Sequence, residues 1–196
     1  MTVYFIRHGQ TQGNLEHRYI GSTDQPLCAQ GREALAGRKC PAVAALYVSP
    51  LRRCRETAAL LYPDMPQITV DGLRECDFGA FEGHSYEELK EDPAYRAWID
   101  TGGGSAPPGG EAKADMARRT VAAFRSITAR HGPEDAIALV VHGGTIMALL
   151  EALEDSHEFY RWQVPNGGGV CCRWDGGKLT VERGSFSAGA LSGPGS

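Results

Sequence analysis

Short apolar runs alternate along this chain with longer stretches in which apolar residues recur at helical spacing. Val3-Tyr4-Phe5-Ile6, Ala44–Val48, Ile68-Thr69-Val70 and Ala136–Val141 are too short for helices and rich in β-branched or aromatic residues, which predicts strands, the first two buried and the last the strongest. Helical spacing covers Ala29–Lys39, read as a surface helix, then Glu111–Arg130 and Ile146–Leu153. A further helix is expected after the second strand, with Ser49 as its N-cap and Pro50 in its first turn. Tyr86–Trp98 reads as one or two helices interrupted at Pro93. Late in the chain, Val170–Arg173 and Leu179–Glu182 flank Asp175-Gly176-Gly177 as a hairpin at a sheet edge. Strands that each feed a helix predict an α/β protein. The expected form is a three-layer α/β/α sandwich with a mostly parallel central sheet, one domain over residues 1–190. Residues 191–196 read as a disordered tail or cloning remnant.

The strand ends carry the chemistry. The first run stops at Arg7-His8-Gly9, with Thr11 and Asn14 close behind. Open α/β sheets place their ligand sites at the carboxyl ends of strands. Arg7 offers a planar fork of donors for a phosphate or carboxylate, and Thr11 and Asn14 add neutral donors. His8 beside an arginine is biased toward neutral imidazole, a nucleophile in an anion pocket. Gly9 is expected to let the backbone turn sharply against a ligand. The strongest strand likewise ends at His142-Gly143-Gly144 and opens a helix, so the arrangement occurs twice. Between them, Arg52, Arg53 and Arg55 give the helix after the second strand a basic first turn, where helix N-termini attract anions. Glu75, Asp77 and Glu82, packed among Leu, Phe and Gly, are candidate general acids or turn residues. Gly102–Gly110 is the one low-complexity stretch, a mobile loop near the site or an inert connection.

Composition narrows the classes. With 42% apolar and 22% charged residues the 196-residue chain is an ordinary globular sequence, and its net charge of −4 gives no support for nucleic-acid or membrane-surface binding. No stretch approaches a membrane span, and a strand beginning at residue 3 leaves no room for a signal peptide, so a cytoplasmic protein is expected. Six scattered cysteines without a CxxC pair match reduced thiols rather than a zinc or disulfide framework. No metal and no cofactor are expected. Oligomeric state is not legible.

RHGxTxxN at residues 7–14, SPLxRCxxTA at 49–58, LxExxFGxFEG at 73–83 and HGG at 142–144 stand in an order that resembles the histidine phosphatase superfamily. The similar branch is the phosphoglycerate mutase-like one, with the cofactor-dependent mutases and α-ribazole phosphatases. The resemblance runs from Val3 to about Asn166. It implies that His8 attacks phosphorus to form phosphohistidine, with Arg7, Arg53 and His142 around the phosphoryl group. Asn14, Thr11, Gly21, Ser22 and the Gly143 backbone would bind phosphate or substrate. Glu75 would protonate the leaving oxygen, with Asp77 as second choice. Cys54 stands where the pattern more often has alanine, and reads as packing. The implied activity is metal-independent phosphomonoester hydrolysis of a small phosphorylated metabolite, releasing inorganic phosphate. Phosphoglycerate mutase-type transfer is the alternative, although family mutases carry a longer insertion between acid and second histidine. A catalytically silent binding protein is the third reading, opposed by the presence of His8, Arg53 and His142. The substrate-facing stretches are expected at 16–23, 84–86 and the glycine loop.

Overall fold

The structure, a computed structural model, describes residues 1–154 and 158–186, the last four by their backbone alone. Its centre is β4 (Ala136–Val141), which runs parallel to β1 (Thr2–Arg7) on one side and β2 (Ala45–Val48) on the other. Successive strand side chains point to opposite faces. Ile137, Leu139 and Val141, with Val3 and Phe5, therefore pack against α6 (Lys113–Thr128) and α7 (Gly143–Leu153) through Phe124, Ile127, Ile146 and Leu149. Ala138, Val140, Tyr4, Ile6, Leu46 and Val48 face the other way, onto Cys54, Ala58 and Leu61 of α3 (Arg52–Leu61). A strand covered on both faces must be apolar at every position, which is why these runs do not alternate. The result is the expected α/β/α sandwich. The sheet order is β3-β2-β4-β1-β5-β6, with β3 (Gln67–Thr69) parallel to β2. β5 (Gly169–Trp174) runs antiparallel to β1, and β6 (Leu179–Phe186) completes the hairpin at the sheet edge. The tail at 191–196 lies outside the described residues. All six cysteines are described, and none forms a disulfide.

Local differences from the sequence reading have physical causes. The residue at the N-cap of α3 is Leu51, not Ser49, and no side chain caps that helix. Ser49 Oγ is instead 2.7 Å from Nε2 of His142. The helix expected over 29–39 is only α2 (Ala29–Glu33), and it is not wholly a surface element: Gly31 and Leu35 are buried. That packing also bears on Gly9: a Cβ there would meet Leu35 Cδ1 at 2.7 Å and the Gly31 carbonyl at 3.2 Å, so the supporting segment itself favours glycine. The polar stretch after β1 contains a single helical turn, α1 (Gln12–Leu15), closed by a Thr11–Asn14 capping box. Two short helices occupy 86–100: α4 (Tyr86–Leu89), and α5 (Pro93–Asp100), which Asp92 caps with Pro93 at its first position. Among the described residues no helix is long and apolar enough to cross a membrane.

Candidate active site

The carboxyl ends of β1, β2 and β4 deliver Arg7-His8, Ser49 and His142 to one edge of the sheet. The rings of His8 and His142 stand edge to face with centroids 5.2 Å apart. His8 is 4% exposed, and its Nδ1 lies 2.7 Å from the Gly9 carbonyl. A carbonyl only accepts, so Nδ1 carries the proton and Nε2 keeps its lone pair. For His142 the logic reverses. Arg53 Nε donates to its Nδ1 at 3.2 Å, which leaves Nε2 to carry the proton toward Ser49 Oγ. The two imidazoles are thus held as complementary tautomers: Nε2 of His8 keeps its lone pair, whereas the N–H of His142 is directed to Ser49 Oγ.

Arg53 is fully buried. Beyond His142 it donates to the carbonyls of Thr23 at 2.8 Å and Gly21 at 2.7 Å. The same loop is gripped by Glu82, whose carboxylate accepts from the backbone N–H of Gly21, Ser22 and Thr23 and from the Thr23 hydroxyl. Glu82 is therefore the turn-holding residue among the three candidate acids. The N–H groups of Gly21 and Ser22 are spent on it rather than turned to a ligand. Asp77 accepts from Gly79 N and Ser22 Oγ. It stays outside the wall of the cavity that contains Arg7, whereas Glu75 lines that wall. The Glu75 carboxylate accepts from Gly144 N at 3.0 Å, at the positive end of α7, and a Cβ on Gly144 would come within 2.3 Å of Oε1. Arg119 of α6 uses all five donors to fix this segment: the carbonyls of Gly72, Arg74 and Glu75 and both oxygens of Glu111.

Arg7, Asn14, Glu75 and Gly143 share one cavity of about 590 Å³. Asn14 Oδ1 takes donors from the backbone and hydroxyl of Thr11 and from Asn166 Nδ2, which leaves its own Nδ2 as the donor to offer. Thr11 is fully buried and holds Asn14 in place. Arg7 Nη1 donates to the Val164 carbonyl, whereas its buried Nε has no partner among the described residues. Four supporting residues escape the sequence reading: Ser49 as a His142 partner, Thr57 (which accepts from Gly9 N), Asn166 and Arg119. Only Asn166, in a Pro-Asn-Gly turn, carries a local signal, and that signal is equally one of a plain hairpin. Among the described residues no cluster of three or more His, Cys, Asp or Glu side chains is placed to hold a metal ion.

Burial, with Arg53 and Arg7 adding to it, pushes the His8 pKa well below 6.5; burial, Arg53 and His8 do the same to His142. Burial likewise pushes the Cys54 thiol up, out of reach of thiolate chemistry. The histidine shifts fix a pH dependence of stability. Below the ordinary value of 6.5 the unfolded chain binds protons that the folded chain refuses, so stability present above that pH is lost as pH falls. The slope is about 1.4 kcal/mol per pH unit for each histidine, roughly 2.7 for both, until the folded pKa values are reached. Urea midpoints between about pH 7 and pH 5.5 should fall accordingly. Imidazole resonances of the folded protein titrating near the ordinary value would contradict this account.

Comparison with known proteins agrees with this geometry. The chain is 33% identical over 162 residues to 2,3-bisphosphoglycerate-dependent phosphoglycerate mutase 2 of Gloeobacter violaceus, which covers 76% of this chain and 74% of that one. It superposes on the α-ribazole phosphatase of Shigella flexneri with a TM-score of 0.84 at 25% identity, covering 96% and 98% of the two chains. Phosphoglycerate mutase of Thermus thermophilus matches with a TM-score of 0.71 at 33% identity, over 92% and 97%. The profile of the histidine phosphatase superfamily, branch 1, spans residues 3–186, nearly everything the sandwich contains. With that profile covering most of the chain, the chain belongs to the histidine phosphatase superfamily.

Proposed function

We propose that this protein is a phosphomonoester hydrolase working through a phosphohistidine intermediate on a small phosphorylated metabolite. The observation that carries the proposal is the His8 tautomer: its proton is held by the Gly9 carbonyl, and the Nε2 lone pair stays available beside two arginines. In the first step Nε2 attacks phosphorus and the bond to the leaving oxygen breaks as Glu75 supplies a proton. Arg7, Arg53, Asn14 Nδ2 and the Gly143 N–H at the start of α7 spread the charge on the equatorial oxygens, joined by His142 once its N–H turns from Ser49 to the phosphoryl group. In the second step Glu75 takes a proton from water as its oxygen attacks, releasing orthophosphate and restoring neutral His8. Thr11 serves the site by holding Asn14, Gly21 by accepting from Arg53, and Ser22 by anchoring that loop on Glu82.

Mutase-type transfer is the second reading, favoured by the names of the Gloeobacter and Thermus relatives. The test is rapid-quench incubation with 3-phosphoglycerate and a panel of phosphomonoesters in the presence of chelator. The expected result is an acid-labile phosphoenzyme that decays to orthophosphate. Isomerised phosphoglycerate with no orthophosphate would assign the mutase instead, and absence of phosphoenzyme would remove both.

A further inference from the structure

Residues 164–168 cross the carboxyl end of β1, where the nucleophile stands. The Val164 carbonyl accepts from Arg7 Nη1 at 2.7 Å, and the Gly168 carbonyl accepts from Arg7 N at 2.9 Å. Gly167 N is 3.1 Å from the Arg7 carbonyl and 3.0 Å from that of His8, while its own carbonyl accepts from Arg38 Nη1 at 2.6 Å. A turn tied at so many points holds its side chain in a set place. That side chain is Asn166, whose Nδ2 lies 3.3 Å from the His8 carbonyl and 3.1 Å from Asn14 Oδ1. Both partners are oxygens that only accept, so the two protons of one amide nitrogen serve both. Turning the Asn166 amide over would set oxygen against oxygen at each contact.

Asn14 lines the phosphoryl cavity and Asn166 does not, so Asn166 reaches a bound phosphate only through its neighbours. Loss of Asn166 leaves the His8 carbonyl a second donor in Gly167 N. Asn14 is served differently. Its Oδ1 accepts from the N–H and hydroxyl of Thr11, each at 3.1 Å, and from Asn166 Nδ2. Thr11 belongs to the same capping turn and moves with Asn14, whereas Asn166 ties that turn to the nucleophile strand from far along the chain. The consequence is the polarity of the cavity. Arg7 and the Gly143 N–H can only donate, and Asn14 joins them only with Nδ2 forward. Reversed, it would set an acceptor oxygen against phosphoryl oxygens that also only accept.

We propose that Asn166 is a positioning residue of the phosphoryl site, acting through Asn14 by holding that amide with its donor toward the transferring group. This rests on the phosphohistidine reading for the group that is bound, and on the two amides alone for how it is bound. The experiment is a double-mutant cycle in the binding of inorganic orthophosphate, read by calorimetry and needing no turnover, with kcat/KM for a small phosphomonoester and a urea melt beside it. Asn166→Ala removes the donor, and should weaken orthophosphate binding about fivefold in the wild-type background and hardly at all in Asn14→Ala. Asn166→Asp puts an oxygen where the donor was, and should weaken binding about 30-fold as Asn14 is driven to turn over. Part of that second loss is plain charge repulsion, which persists without Asn14; most of it should vanish in the Asn14→Ala background. Losses of equal size in both backgrounds overturn the positioning role. A lowered urea midpoint with unchanged orthophosphate binding overturns it too, since Asn166 would then merely brace the turn. Coupling between the two asparagines with no ester hydrolysed would uphold Asn166 and sink the hydrolase. Additive losses with active hydrolysis would do the reverse.

Discussion

His8→Ala should lose phosphate release by on the order of 10⁴- to 10⁶-fold while remaining folded. The size follows from the role: without Nε2 there is no group to form the covalent intermediate, and water would have to attack phosphorus unaided among the remaining cations. Folding should survive because, among the described residues, the His8 side chain makes a single hydrogen bond, to the Gly9 carbonyl, and that loss costs about 1–3 kcal/mol. Part is returned below neutral pH, since a buried imidazole that resists protonation is removed. The measurement is kcat/KM beside a urea melt of the same sample. An active and stable His8→Ala protein would end the phosphohistidine account.

Arg53→Lys should be damaging in both respects, although it preserves charge. The wild-type guanidinium reaches His142 Nδ1 and the carbonyls of Thr23, Gly21 and, at 3.5 Å, Ile20. A lysine ammonium is one point on a flexible stem and cannot span them. Unpaired buried acceptors and a poorly solvated cation should cost about 2–5 kcal/mol. Catalysis should fall by on the order of 10³-fold or more, from two causes. A directed cation beside the phosphoryl group is displaced, and His142 loses the donor that fixes its tautomer. Wild-type melting and turnover would show that Arg53 is neither strap nor electrophile. Normal melting with lost turnover would leave it electrophile only.

These outcomes bear on what a sequence can disclose. The strands are legible because β1, β2 and β4 are buried on both faces, and a fully apolar run of strand length flanked by polar turns fits little else. His8 and His142 are legible because each interrupts such a run at its carboxyl end. Glu75, Asp77 and Glu82 cannot be told apart by type or spacing alone. Their separation comes from contacts with Gly144, with Gly79 and Ser22, and with the loop at 21–23, all set by tertiary structure. Ser49 misleads because its sequence neighbourhood favours a helix cap, and a buried imidazole proton outcompetes that role. Phe159 and Tyr160 carry no periodic signal, since they lie in a single 3₁₀ turn, Phe159–Trp162, after α7.

The strap between Glu82 and Arg53 has a thermal meaning. Residues 21–23 give their amides to a carboxylate about sixty positions away, and Gly21 and Thr23 give their carbonyls to the buried arginine. Orienting Arg53 is thereby completed when the loop folds and need not be repeated in each catalytic cycle. If heat loosens the loop ahead of the sheet, the cation is disoriented while the sandwich still stands. The upper temperature limit of turnover is then governed by Glu82, a side chain that need never meet a phosphate, and can lie below the temperature at which the sandwich melts.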